Sequence, residues 1–185
     1  MAHERFIRRL LGVCLLAALC SLCPAGCSDS GSGSAGTAEE LGLIYLEEET
    51  AAPDFTLPTL TGPEITLSEL HGTAVVLNFW AVKCPPCTEE LPYFDTVARH
   101  YANEAAIIAV NVLESTSKVQ QFFGDSEVHF TVALDGSGQV TSSYGIRFTP
   151  TTFFIDSRGL VRYAKVGPFA SERELEASID MLLNL

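Results

Sequence analysis

The stretch VVLNFWAVKCPPCTEELP, residues 75–92, constrains this chain more than any other segment. Its apolar run lacks the polar alternation of a half-exposed strand, so AVVLNFW (residues 74–80) reads as a strand buried on both faces, the kind found inside a layered α/β domain. Two cysteines follow directly, Cys84 and Cys87, at the point where a helix over residues 87–102 is expected to begin. Such a pair is a structural staple, half of a zinc site, a haem attachment point or a thiol pair that does chemistry.

The chain itself narrows these choices. A zinc site needs two further ligands, and no second close cysteine pair exists, while His71, His100 and His129 stand far from one another in sequence. No metal is therefore expected. Covalent haem needs His directly after the second cysteine, and this position holds Thr88. A staple closing so short a loop stabilises by only about 2 kcal/mol on loop-entropy grounds. Placement favours chemistry: at a helix start the dipole and free N–H groups stabilise a thiolate, and Lys83 adds positive charge beside Cys84. Cys84, outermost, is expected to attack; Cys87, one turn in, to resolve. Pro85 and Pro86 fit the first helical turn but remove two N–H donors, which tempers the stabilisation of the thiolate.

The beginning of the chain departs from globular composition. Arg5, Arg8 and Arg9 precede the apolar run from Leu10 to Cys23, which Ala25 and Gly26 close before Cys27. That is the layout of an export signal, and the run is short of the roughly 20 residues needed to span a bilayer. The segment PAGC resembles a bacterial lipobox, in which the Cys is lipidated and becomes the new N-terminus, so Cys27 is the expected lipidation site and ordinary cleavage nearby the alternative. Pro24 stands where a lipobox usually has an aliphatic residue. Loss of residues 1–26 removes Cys14, Cys20 and Cys23, and lipidation consumes Cys27, leaving Cys84 and Cys87 as the thiols of the exported domain. An exported protein meets conditions in which disulfides persist. With 23 Asp and Glu against 11 Lys and Arg, the chain is too acidic to favour nucleic acid as a partner.

Residues 1–26 are thus expected to be a signal peptide, 27–50 a flexible Ser/Gly and acidic linker, and 51–185 a single domain. The acidic part of the linker, EELGLIYLEEET, reads as a partly ordered leader. Within the domain, EITLSEL reads as a short strand and turn, AAIIAVNV as a second buried strand, STSKVQQFFGD as a helix stopped by Gly124, and GQVTSSYG as a short helix. TTFFID and LVRYAKV read as a hairpin around the turn SRG, and SERELEASIDMLLNL as an amphipathic helix capped by Ser171 with Glu174. Strands alternate with helices before a closing hairpin, so the expected fold is α/β with a mixed central sheet and helices on both faces.

FWAVKCPPCTEELP followed by FTPTTFFID resembles the thioredoxin superfamily, and APDF at 52–55, VVLNFWA and NVLES resemble its exported, membrane-tethered branch of TlpA- and ResA-like disulfide reductases. The resemblance covers about residues 51–185. It implies a thioredoxin fold with a TlpA-like N-terminal extension and central insertion, and a redox-active Cys84–Cys87 disulfide in place of any cofactor. It also implies a cis proline at Pro150, which exposes the Thr149 backbone so that an extended client peptide can pair there. Trp80, Lys83, Thr149 and Pro150 are the implied substrate-binding positions, and Pro92 the implied helix-kinking proline. Lys83 departs from the family, which nearly always has Trp there. Asn78 takes the place of the buried Asp of cytoplasmic thioredoxins, as in the exported branch. Glu90 matches a Glu that influences the titration of the cysteine pair; favourable charge in a helix's first turns accounts equally well for Glu89 and Glu90.

The implied activity is reduction of disulfides in exported proteins, in an extracytoplasmic, membrane-anchored position fed by a membrane electron donor of the CcdA or DsbD type. Cytochrome c maturation, reduction of copper-site cysteines and repair of exported proteins all use this scaffold. The alternatives are a peroxiredoxin-like thiol peroxidase and a non-catalytic thioredoxin-fold binding module. Against the first, the Pro-x-x-x-Thr/Ser-x-x-Cys pattern is absent: Trp80 and Cys84 hold its positions counted back from Cys87, Leu77 and Ala81 counted back from Cys84.

Overall fold

The computed structural model describes residues 37–185, and the buried strand read at residues 74–80 lies inside its sheet. The expected signal peptide, Cys27 and the Ser/Gly part of the linker lie outside the described residues. The elements run β1 (Ile44–Ala51), β2 (Thr56–Leu57), β3 (Ile65–Thr66), a 3-10 turn (Leu67–Leu70), β4 (Ala74–Trp80), α1 (Pro85–His100) and β5 (Ala105–Val112). They continue with α2 (Thr116–Phe123), β6 (Thr131–Asp135), α3 (Gln139–Ser143), β7 (Thr151–Ile155), β8 (Leu160–Val166) and α4 (Glu172–Leu183). Six strands form one sheet in the order β1-β8-β7-β4-β5-β6, and β2 with β3 makes a separate small hairpin. Among the described residues no helix is long and apolar enough to cross a membrane.

Strands β4, β5 and β6 are parallel, so each crossover carries a helix, whereas β7 and β8 return antiparallel through the tight Asp156–Gly159 turn. Every residue of β4 is buried because both faces are covered. Ala74, Val76 and Trp80 pack toward Phe94 and Val97 of α1, Val119 of α2 and Ile179 of α4. Val75, Leu77 and Phe79 pack oppositely, with Val140 of α3, Leu67 of the 3-10 turn and Phe55. Each fully buried side chain of this size contributes about 1.5–3 kcal/mol relative to exposure.

Local chemistry sets the helix ends. Ser171 accepts the Glu174 N–H, and the Glu174 carboxylate reaches back to the Ala170 N–H, one residue earlier than in the usual capping box. Gly124 ends α2 with φ +55°, a left-handed conformation that a Cβ disfavours. Helix α1 starts at Pro85, two residues before the sequence reading, because Cys84 caps it and both prolines occupy its first turn.

Two elements correct the sequence reading. The domain does not begin at residue 51: Ile44–Ala51 is strand β1, antiparallel to β8, with Leu41 and Leu43 in the core beside it. Its sequence reads as part of the acidic linker, a partly ordered leader, yet the strand covers the backbone edge that β8 would otherwise expose. Strand β6 is absent from the sequence reading; its backbone is ordered by parallel pairing with β5 across the intervening helix α2. Between β5 and β7 the chain carries α2, β6 and α3.

Candidate active site

Strand β4 delivers the chain to the turn at residues 81–84, and that turn presents the cysteines. The Cys84 N–H donates to the Ala81 carbonyl at 3.1 Å, and the Cys84 carbonyl accepts the Thr88 N–H at 3.1 Å as α1 begins. Cys84 is therefore the helix cap, half-buried, while Cys87 is fully buried one turn in. The two are joined as a disulfide, with Cα atoms 5.3 Å apart. Facing them is the loop before β7, where the Thr149–Pro150 peptide bond is cis and the Thr149 carbonyl oxygen lies 3.5 Å from Cys84 Sγ. Thr149 stands outside the strand ladder, which begins at Thr151. The half-buried Cys84 sulfur thus lies against the Thr149 backbone, outside the strand ladder.

Lys83 is exposed in the turn beside Cys84. Trp80 is not a substrate-binding residue: its indole is fully buried, packed on Phe122 and Phe123 at ring-centroid distances of 5.5 and 5.6 Å. Strand parity explains this, since Trp80 shares a sheet face with Val76, the face covered by α1, α2 and α4. Its N–H finds no partner there. Among the described residues no group of three or more His, Cys, Asp or Glu side chains is placed to hold a metal ion.

Glu89 and Glu90, indistinguishable as helix-turn charges in the sequence, separate completely. Glu89 is exposed, whereas Glu90 is 1% exposed and turned inward one turn beyond Cys87. Its Oε1 accepts from Asn78 Nδ2 at 3.1 Å and its Oε2 from the Phe169 N–H at 2.9 Å. Asn78 Nδ2 also donates to the Thr152 hydroxyl at 3.0 Å. Burial pushes the Glu90 carboxyl up to about 7, against the opposing pull of the Phe169 N–H, Asn78 and the Lys165 ammonium. The proton has a place to go: the Asn78 carbonyl oxygen has no partner, and a half-turn of that amide presents it to a protonated Glu90. A carboxyl that holds or releases a proton near neutrality next to a thiol pair is equipped to influence thiol–disulfide exchange.

Two features were not read from the sequence. The buried Glu114 carboxylate accepts the Val82 N–H at 2.7 Å and the Asn111 side-chain N–H at 2.9 Å, and pairs with Lys118. Burial raises its carboxyl, but Lys118, Asn111 and Val82 outweigh burial and hold it below the usual range. Glu114 so ties the cysteine-bearing turn to the end of β5. The signal available was an acidic residue closely following a buried strand, in NVLES. The second is Phe148, 70% exposed beside Thr149, an apolar ring left in solvent next to the cysteine-facing loop.

A profile of the AhpC/TSA family matches residues 49–164. The thiol-disulfide oxidoreductase ResA of Bacillus subtilis is 40% identical over 65% of this chain and 68% of its own. Among solved structures, a protein described as a thiol:disulfide interchange protein DsbE from Chlorobium tepidum is 35% identical, with a TM-score of 0.68 over 75% of this chain and 99% of that one. The pneumococcal exposed lipoprotein thioredoxin of Streptococcus pneumoniae is 27% identical, with a TM-score of 0.63 over 70% of this chain and 100% of that one.

Proposed function

Because the chain belongs to the AhpC/TSA family and is a thiol-disulfide oxidoreductase of the ResA and DsbE type, we propose that it works outside the cytoplasm as a membrane-tethered reductase of disulfides in exported proteins. The observation that carries the mechanism is the asymmetry of the pair: Cys84 half-exposed beside the Thr149 backbone, Cys87 fully buried behind it. In the reduced protein the Cys84 thiolate attacks one sulfur of a client disulfide, and the client's other sulfur leaves as a thiolate. Cys87 then gives up its proton and attacks Cys84 Sγ, releasing the second client thiol and leaving the Cys84–Cys87 disulfide. The client loses its disulfide and takes up two electrons and two protons. Two electrons from a membrane donor of the CcdA or DsbD type, with two protons from solvent, restore the dithiol.

Glu90 tunes this exchange through its proton, and Lys83, Thr149 and Pro150 meet the client. Export and tethering through Cys27 are supported by the signal-like residues 1–26 and the PAGC segment, and by likeness to an exposed lipoprotein thioredoxin. Reduction rather than oxidation is favoured because Pro85 and Pro86 withhold amides and Glu90 adds negative charge, both opposing extreme stabilisation of the thiolate. Cytochrome c maturation is one client pathway that fits.

Alkylation of the reduced protein near neutral pH tests the roles: Cys84 should label much faster than Cys87, and the reverse order overturns the assignment. Cys87→Ser should trap exported clients as mixed disulfides on Cys84. A protein that consumes peroxide but leaves protein disulfides intact would be a peroxidase, and one inert in both assays a binding module.

A further inference from the structure

Three polar residues lie in register across three strands on the face that α1 and α4 cover. Asn78 of β4 pairs with Thr152 of β7, and Thr152 with Lys165 of β8. Lys165 is only 8% exposed, unusual for a lysine, so its ammonium needs partners. It has three: Glu174 Oε1 of α4 at 2.7 Å, the Leu41 carbonyl of the N-terminal leader at 3.0 Å, and the Phe169 ring with its centroid at 5.3 Å. The same cluster grips the turn between β8 and α4 by consecutive amides. Phe169 N–H goes to Glu90 and Ala170 N–H to Glu174 at 2.6 Å. Phe169 therefore offers its ring to Lys165 and its amide to Glu90.

The leader's approach is close. Gly42 has φ +61°, and a Cβ there would lie 3.2 Å from the Lys165 ammonium nitrogen. Residues 37–43 fold back on themselves through Leu41 N–H to Thr37 O and Leu43 N–H to Ala38 O, while Leu41 and Leu43 enter the core. This short turn, N-terminal to the sheet, thus roofs a buried cation whose other contacts lead to Glu90.

Charge makes the arrangement consequential. The groups acting on Glu90 are Lys165 from β8 and Glu174 from α4, with Asn78 of β4 as a neutral partner, Thr152 of β7 bonded in turn to Asn78, and Cys87 one turn back on its own helix. Lys165 is committed directly to Glu174, so an ionised Glu90 leaves two carboxylates sharing one ammonium. Anything that shifts the ammonium alters the field at Glu90.

We propose that Lys165 is a positioning residue of the redox site, clamped by Glu174 and by the leader's Leu41 carbonyl so that leader docking holds Glu90 and the Phe169 turn in their working arrangement. This rests on the reading of Glu90 as the carboxylate coupled to the thiol pair. The leader that follows the tether then contributes to the active site without touching a client.

The test follows the pH dependence of Cys84 alkylation in the reduced full chain, together with direct NMR titration of the Glu90 carboxyl. Lys165→Met should move the Glu90 inflection upward by about one pH unit, a tenfold change in proton affinity, as loss of a nearby cation does. Gly42→Val, which keeps every charge, should shift it in the same direction by a smaller amount, and Glu174→Gln should shift it downward. In a Glu90→Gln background the Lys165 and Gly42 effects on alkylation should vanish. Should Lys165→Met fold poorly, Gly42→Val and Glu174→Gln carry the test, with Lys165→Arg as the charge-retaining rescue. If Glu90→Gln abolishes the inflection while Gly42→Val and Lys165→Met leave it in place, the leader clamp is refuted and the Glu90 reading stands. An inflection that survives Glu90→Gln refutes both.

Discussion

Replacing Glu90 by Gln should make the protein more stable near neutral pH, an unusual outcome for a buried polar residue one turn from a redox centre. In the unfolded chain this carboxyl titrates near 4.5, and in the fold burial raises it to about 7. Folding therefore favours the protonated form. The associated stability is complete below about pH 4.5, declines as the pH rises toward 7, and is lost above that. At about 1.4 kcal/mol per pH unit, the interval corresponds to about 3 kcal/mol. Gln cannot ionise, its Oε1 can accept the Phe169 N–H, and its NH2 can donate to the unpartnered Asn78 oxygen after that amide turns. Urea unfolding of wild type and Glu90→Gln from pH 4 to 8, in one redox state, should give curves that diverge by up to about 3 kcal/mol, or about 6–12 °C in Tm for a domain of this size. Subtracting one curve from the other cancels the remaining carboxylates, and exposed Glu89→Gln serves as the control. Parallel curves for wild type and Glu90→Gln would refute the raised affinity of Glu90 for its proton.

The other predictions follow from contacts around the same turn. Glu114→Ala strands the Val82 N–H and the Asn111 amide, so it should cost about 1–3 kcal/mol and slow client reduction, and Glu114→Gln, which keeps one acceptor, should recover much of both; denaturant melts and turnover check this. Trp80→Ala should destabilise by about 3–5 kcal/mol, in the range for large buried aromatics, while the client preference of the folded fraction, measured by competition between two disulfide peptides, stays unchanged. Phe148→Ser, at an exposed ring, should leave stability within about 0.5 kcal/mol and weaken KM for apolar clients more than kcat. Equilibration in glutathione buffers should place the Cys84–Cys87 couple below about −200 mV, and a value near −120 mV would mark an oxidant instead.

Much of the molecule is legible in residues adjacent in the chain. The buried strand 74–80, the cysteines at a helix start, Ser171 as a cap and the 151–166 hairpin all rest on local patterns: apolar runs, caps and turn residues, which act over a few positions. The redox pair was legible for the same reason, since spacing and placement at a strand–helix junction are local facts. The tertiary structure decided what depends on partners far away. Glu89 and Glu90 are equivalent as a sequence pair, and only the packing of α1 on the sheet buries one and exposes the other. Trp80 looked available beside the cysteines, yet α2, brought over it by the β5–β6 crossover, closes Phe122 and Phe123 onto its ring. Strand β1 reads as acidic linker because its order comes from β8, more than a hundred residues on, whose edge supplies the hydrogen bonds that its own composition does not demand. Glu114 and Lys165 acquire their roles likewise, because a buried charge is defined by the groups that surround it, and those are assembled only when the sheet is.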